Sequence, residues 1–205
     1  VTPLGILWDI NNKFIPGGSN IIDIPKDAQW SYLSENGGYH YNFLDSLNKA
    51  FYSLERANHQ IENTFGVFDF NYKLKSKEDL ELVRYLFDSI SNIDFFDESL
   101  TFLEITEYLL INFSSSEGIK GNDFTTSNSV SRLMVTLLNP EGGSVLDSAC
   151  GIGGFFQKTE QQYIDNHSHR GDFKFFGQEY NPSTLAIAKL RFAFNQKENI
   201  SFGEA

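Results

Sequence analysis

Cysteine, cationic charge and long apolar runs are what this chain lacks. One thiol, Cys150, excludes a disulfide framework and any zinc site built from several thiolates. It fits a reducing compartment, expected to be the cytoplasm. No stretch approaches the ~18 uninterrupted apolar residues of a membrane span, and the most apolar one, 102–113, is broken by Glu104 and Glu107. No membrane partner is expected. Lys and Arg number 16 against 27 Asp and Glu, a net charge of −11. That balance argues against a free-standing binder of nucleic acid, because no cationic excess displaces counterions from phosphates, unless a partner supplies the basic surface. The opening Val1-Thr2-Pro3 has no basic flank, apolar core or cleavage site of a signal peptide, and no initiator Met, so a piece of something longer is expected. Aromatics are abundant: twenty Phe, nine Tyr and two Trp exclude a disordered chain. With 205 residues there is length for one large domain or two small ones with a real core.

Residues 1–41 show no sustained period. They carry turn signals at 16–20 and 36–38, a short extended piece at 21–24 and one helical turn at 28–33. From Tyr41 the spacing predicts a helix with Leu44, Leu47, Phe51 and Leu54 on one face. A second helix is predicted from Ser76, capped with Asp79, its apolar face Leu82, Val83, Leu86, Phe87 and Ile90. A third follows Thr101, where Thr101 and Glu104 fit a capping box, with Phe102, Ile105, Leu109 and Phe113 on its face. Three amphipathic helices need one another, so 1–115 reads as a small helical domain. The segment 114–121 is a polar, glycine-punctuated linker. A fourth helix, 128–138, presents Val130, Leu133, Met134 and Leu137. The pattern then becomes α/β: a short buried strand at 144–147, a helix at 153–164 and a strand at 173–178. Asn181 reads as an N-cap with Pro182 at the first helical position, Leu185, Ala188 and Phe192 form the next helical face, and a strand follows at 199–202. Strand, helix, strand, helix, strand is half of a doubly wound parallel sheet.

The informative residues run Asp147-Ser148-Ala149-Cys150-Gly151-Ile152-Gly153-Gly154-Phe155, where the first strand turns into its helix. Open α/β sheets bind ligands there. Gly151 and Gly153 let the backbone turn sharply and approach a ligand. A dinucleotide fingerprint would place a third glycine where Phe156 stands, and a phosphate-cradling loop would place Lys well before Lys158. The turn therefore suits a nucleoside ligand without phosphates. Asp147 can accept hydrogen bonds from an ammonium group, and Glu179, closing the second strand, can accept two from a ribose diol. Together they suit S-adenosylmethionine. The competing reading is a structural turn with a solvated Glu179. Cys150 reads as a packing residue, since no neighbouring base activates it. His167 and His169 lie in what reads as a solvated polar loop without a third metal ligand, and no metal site is expected. The acidic group Asp94, Asp97 and Glu98 reads as a solvated or helix-capping turn, and Lys73, Lys75 and Lys77 beside Glu78 and Asp79 as a poor phosphate patch.

The Asp147–Phe155 stretch resembles the Asp-Pro-Ala-Cys-Gly-Thr/Ser-Gly-Gly-Phe motif of N6-adenine DNA methyltransferases, and more narrowly of modification (M) subunits of type I restriction–modification systems. The same subunits carry Gly-Gly-Glu-Phe-Tyr-Thr-Pro-Arg before an Arg-Leu-Met helix. Here Gly121-Asn122-Asp123-Phe124-Thr125-Thr126-Ser127-Asn128 leads into Arg132-Leu133-Met134. Their Gly-Gln-Glu-x-Asn-Pro stands as Gly177-Gln178-Glu179-Tyr180-Asn181-Pro182. The resemblance spans roughly residues 24–205. Ser127 replaces the family's Pro before the helix and Ser148 the Pro after the motif Asp. The family's Asn-Pro-Pro-Phe, whose Asn side chain and proline carbonyl hold the adenine amine, is not present.

The resemblance implies a helical N-terminal domain over 1–115 and, over 116–205, the first half of a Rossmann-like methyltransferase domain, ending before the Asn-Pro-Pro-Phe motif. It implies cofactor contacts from Asp123, Phe124, Thr125, Thr126, Ser127 and Asn128, from Asp147, Gly151, Ile152, Gly153 and Gly154, and from Glu179, with Glu204 near the adenine ring of S-adenosylmethionine. The full-length protein would be a site-specific, adenine-specific DNA methyltransferase acting on double-stranded DNA. Its partners would be a specificity (S) subunit, a second M subunit and a restriction (R) subunit. These 205 residues alone would hold no catalytic residue and be inactive. The alternative is a non-catalytic helical assembly or DNA-binding module joined to a degenerate nucleotide-binding α/β domain.

Overall fold

The computed structural model describes residues 22–36, 43–68, 76–91, 126–169, 171–194 and 199–204. Two compact units emerge, Val1–Phe102 and Leu103–Ala205. The helix predicted after Thr101, the linker at 114–121, the boundary at 115, the acidic turn at 94–98 and Lys73 and Lys75 lie outside the described residues.

In the first unit the helices are α1 (Trp30–Asn36), α2 (Phe43–Ala57) and α3 (Lys77–Ser91), with 3-10 turns at Lys26–Ala28, His59–Ile61 and Phe65–Phe68. The helical turn predicted at 28–33 is thus a 3-10 turn running into a true helix. α3 starts as its sequence dictates: Asp79 N–H donates to Ser76 Oγ at 3.0 Å and Ser76 N–H to Asp79 Oδ2 at 3.2 Å. The buried faces differ from prediction. In α2 the fully buried positions are Phe43, Ala50 and Leu54, while Leu44, Leu47 and Phe51 are half-buried. Ala50 is buried, and α2 packs on the turn Lys26–Ala28. Asn58 locks that arrangement: it accepts Asp23 N–H at 2.6 Å and donates to the carbonyls of Asp23 and Leu54 at 2.7 and 2.8 Å. Among the described residues of α3 the buried one is Phe87, stacked on Trp30 at 3.9 Å and edge-on to Phe43 at 4.9 Å. Leu82 and Leu86 are exposed, and the Ile90 side chain lies outside the described residues.

The second unit runs α4 (Asn128–Leu138), β1 (Gly143–Asp147), α5 (Gly154–His167), β2 (Phe173–Glu179), α6 (Pro182–Phe194) and β3 (Ile200–Glu204). The strands are parallel in the order β1-β2-β3, with Val145 opposite Phe175 and Phe175 opposite Ile200. This is the helical plus half-Rossmann architecture expected from the sequence. Side chains alternate across a strand, and the inward set of β2, Phe173 and Phe175, meets Phe156 of α5, Phe192 of α6 and Cys150 in one core. Each buried phenylalanine contributes about 1.5–3 kcal/mol of apolar transfer.

β1 is not the buried strand predicted. Leu146 and Phe176, neighbours in register on the other face, are 68% and 41% exposed. The core draws on Phe156 and Phe192 alike, so α5 and α6 share one face of the sheet. α4 packs on α5 through buried Ser131 and Val135, while the predicted stripe of Val130, Leu133, Met134 and Leu137 is exposed. A small side chain at 131 permits that approach, and Thr136 Oγ1 donates across it to Gln162 Oε1 at 2.9 Å. Among the described residues no helix is long and apolar enough to cross a membrane.

Candidate functional site

A parallel strand that feeds a helix on its own face must reverse within a few residues, and the backbone groups of that reversal need partners. Asp147 ends β1 and its Oδ1 accepts Ala149 N–H at 3.1 Å. Cys150 N–H donates to the Gln178 carbonyl at 2.9 Å, so the turn stays paired to β2. Gly153 N–H then closes a four-residue turn on the Cys150 carbonyl at 2.8 Å. Gly151, first central residue of that turn, takes φ +56°, and Gly153, N-cap of α5, takes φ +79°. Glycine adopts both without the steric penalty of a Cβ. At Gly153 space also forbids one, because a Cβ would fall 2.3 Å from the Phe192 ring.

Glu179 ends β2 beside this turn. Its Oε2 accepts Gly151 N–H at 3.0 Å and its Oε1 accepts Asn181 N–H at 2.8 Å. Asn181 in turn caps α6 as predicted, its Oδ1 accepting the N–H groups of Ser183 and Thr184 at 2.9 and 3.3 Å. Glu204 is the register partner of Glu179 on β3. The carboxyl ends of all three strands therefore carry an acidic residue. Such a rim repels polyphosphate and favours a ligand with cationic groups. A carboxylate has about four lone-pair positions. Two backbone N–H groups leave Glu179 able to accept a pair of hydroxyl hydrogens, and Asp147 keeps Oδ2 for an ammonium. These acceptors fit S-adenosylmethionine on those counts.

The Cys150 thiol is pushed up to about 12, first by burial and then by the charges of Asp147 and Glu179. It is a core atom, as its sequence context predicts, and not a nucleophile. Among the expected contacts, Asp147, Gly151, Ile152, Gly153, Gly154 and Glu179 come together, and Glu204 joins by register. Ile152 turns its side chain inward, so its surface contribution is backbone. A Cβ on Gly154 would meet nothing within 4 Å. Asp123, Phe124 and Thr125 lie outside the described residues. Thr126 and Ser127 are exposed before α4, and the Ser127 hydroxyl accepts Val130 N–H at 3.3 Å as a helix cap. Asn128 is the first residue of α4.

One residue behind the turn escaped the sequence reading. Arg191 of α6 is buried and donates through Nη1 to the Ile152 carbonyl at 2.9 Å and through Nη2 to Gln157 Oε1 at 2.6 Å. Of the two histidines, His169 lies exposed beyond α5 as expected, and His167 differs. His167 is the last residue of α5, stacked on Tyr163 at 4.1 Å and 3.4 Å from Glu141, because an aromatic platform and a carboxylate offer it more than a solvated loop would. Among the described residues no group of three side chains is placed to hold a metal.

With the geometry in place, the comparisons with known proteins decide the family. The model of the N-6 DNA methylase family matches residues 98–203, more than half of the chain. The chain belongs to that family. It is 30% identical over 185 residues to the type I restriction enzyme MjaIX methylase subunit of Methanocaldococcus jannaschii, covering 87% of this chain and 32% of that protein. It is 35% identical over 89 residues to the type I restriction enzyme HindI methylase subunit of Haemophilus influenzae, covering 43% of this chain and 20% of that one. This N-6 DNA methylase chain thus spans about a third or less of these curated relatives. Its fold is that of a type I restriction–modification methyltransferase subunit from Streptococcus thermophilus, with a TM-score of 0.69 at 20% identity over 98% of this chain and 42% of that chain.

Proposed function

We propose that this chain holds S-adenosylmethionine as part of a modification subunit of a type I restriction–modification system, whose product is adenine methylated at N6 in DNA. The observation that carries the reading is Glu179, a carboxylate fixed by two backbone N–H groups at the edge of a left-handed glycine turn. In this role Glu179 accepts the ribose hydroxyls and Asp147 the ammonium. Gly151 and Gly153 shape the backbone beneath the ligand, Gly154 leaves open space beside it, and Glu204 borders the adenine ring. The bound cofactor supplies an electrophilic methyl on its sulfonium. The acidic rim favours that cation over a nucleoside triphosphate.

The 205 residues carry no Asn-Pro-Pro-Phe, so in this reading the grip on the target amine comes from elsewhere in the assembly. Residues 1–115 serve assembly and 116–205 hold the cofactor. The assembly, working in the cytoplasm, joins this subunit to an S subunit that reads double-stranded DNA, to a second M subunit and to the R subunit. That division of labour suits a chain of net charge −11. Titration calorimetry with S-adenosylmethionine and with ATP tests the cofactor assignment. S-adenosylmethionine should bind at least tenfold more tightly. Failure to bind it, or preference for ATP, overturns the assignment and leaves a helical assembly module with a degenerate α/β domain.

A further inference from the structure

We infer that Arg191 is a positioning residue for the glycine turn, setting the backbone on which the cofactor lies. The inference rests on the reading of that turn as the cofactor cradle. Arg191 projects from α6 into the core of the second unit, only 6% exposed, in a chain whose cations are otherwise scarce. A buried guanidinium is costly unless its donors are used, and two of them go to one place. Nη1 binds the carbonyl of Ile152, the residue between Gly151 and Gly153, and Nη2 binds Gln157 in the first turn of α5.

The geometry explains what this grip controls. The Ile152 carbonyl belongs to the same planar peptide as Gly153 N–H, and that N–H closes the turn on Cys150. Holding the carbonyl inward therefore fixes the plane that presents Gly153 N–H to Cys150 and leads into the left-handed φ of Gly153. Phe192, the next residue of α6, fills the space a Cβ at Gly153 would need. The start of the same helix is tied to Glu179 through Asn181 N–H. One rigid element thus sets both the turn and the carboxylate that borders it. A charge-assisted bond holds geometry better than a neutral one, which gives an arginine its advantage here over an apolar side chain of equal volume.

The test compares wild type with Arg191→Met, Arg191→Lys and Gln157→Leu in two measurements on the 205-residue chain. Hydrogen exchange of the Gly151 and Gly153 amides, without ligand, should speed at least tenfold in Arg191→Met, with the amides of β2 and β3 within twofold of wild type. Gln157→Leu, which leaves the charge in place, should speed the same two amides about threefold. Arg191→Lys, which keeps the charge but on a single nitrogen, should recover part of the protection. Affinity for S-adenosylmethionine should fall about tenfold in Arg191→Met and recover in part with Lys. Should Arg191→Met fail to fold, Gln157→Leu and Arg191→Lys decide. Turn amides at wild-type rates in the folded variants overturn the inference. So does undiminished affinity beside a wild type that binds. Faster turn exchange with a wild type that binds no S-adenosylmethionine upholds the positioning role and overturns the cofactor reading instead.

Discussion

Gly151 and Glu179 are joined by a 3.0 Å hydrogen bond from the glycine N–H to the carboxylate, across the gap between β1 and β2. The turn and the acidic residue beside it are therefore one preorganised unit, and ordering them need not await a ligand.

Removing that carboxylate should weaken the site. Glu179→Ala is expected to weaken S-adenosylmethionine binding by roughly 1.5–3 kcal/mol, the range for charge-assisted hydrogen bonds. Glu179→Gln keeps one acceptor oxygen and should lose less. Titration calorimetry on the three proteins checks the order, and equal affinities would take Glu179 out of the site.

The two adjacent glycines should respond in opposite ways. Gly153→Ala forces a Cβ into a left-handed residue and onto the Phe192 ring, and should destabilise the second unit by roughly 2–4 kcal/mol. Gly154→Ala enters open space at the start of α5 and should be neutral or stabilising by up to about 1 kcal/mol. Urea unfolding followed by circular dichroism separates the two.

Cys150 gives a pH signature. Its folded pKa, about 12, lies above that of the unfolded thiol, about 8.5. The native state thus keeps a proton that the unfolded chain releases. Its contribution to stability is full below pH ~8.5 and is lost as pH rises toward ~12. Cys150→Ala should show a shallower alkaline decline in urea midpoint than wild type. Iodoacetamide at pH 8 should label wild type only once it is unfolded.

On α4 the apolar stripe and the buried stripe are different residues. Val135→Ala, against α5, should cost about 1.5–3 kcal/mol. Leu137→Ser, 76% exposed, should stay within about 0.5 kcal/mol. Matched losses would mean that the stripe is covered in solution.

Transfer requires donor and acceptor held together in near-attack geometry, and an adenine must be extruded from the duplex into a pocket. The 205-residue chain should therefore leave unmethylated DNA unlabelled when incubated with radiolabelled S-adenosylmethionine, with or without an S subunit. Time-dependent labelling of adenine above a no-protein control would show that these residues carry the acceptor's grip as well.

The sequence disclosed the second unit's strands and helices well, because period, glycine, Asn181 and Pro182 all act locally. The turn was legible for the same reason: Gly151 and Gly153 stand where the backbone has no alternative. Burial was less so. Leu133 and Leu137 advertise an apolar face, yet Ser131 and Val135 meet α5, since periodicity records what a stripe prefers and not which neighbour arrives. Arg191 was hidden because a charged side chain reads as surface until its partners are known. The available signal was its spacing, three residues after buried Ala188 and beside Phe192 on the inward side of α6.

The Trp30–Phe87 stack has a spectroscopic corollary. Both tryptophans of the chain, Trp8 and Trp30, belong to the first unit, and the second is tryptophan-free. Indole emission therefore watches only the first unit. A quick optical screen by indole emission would take no signal from a ring in the second unit, where the cofactor is proposed to bind.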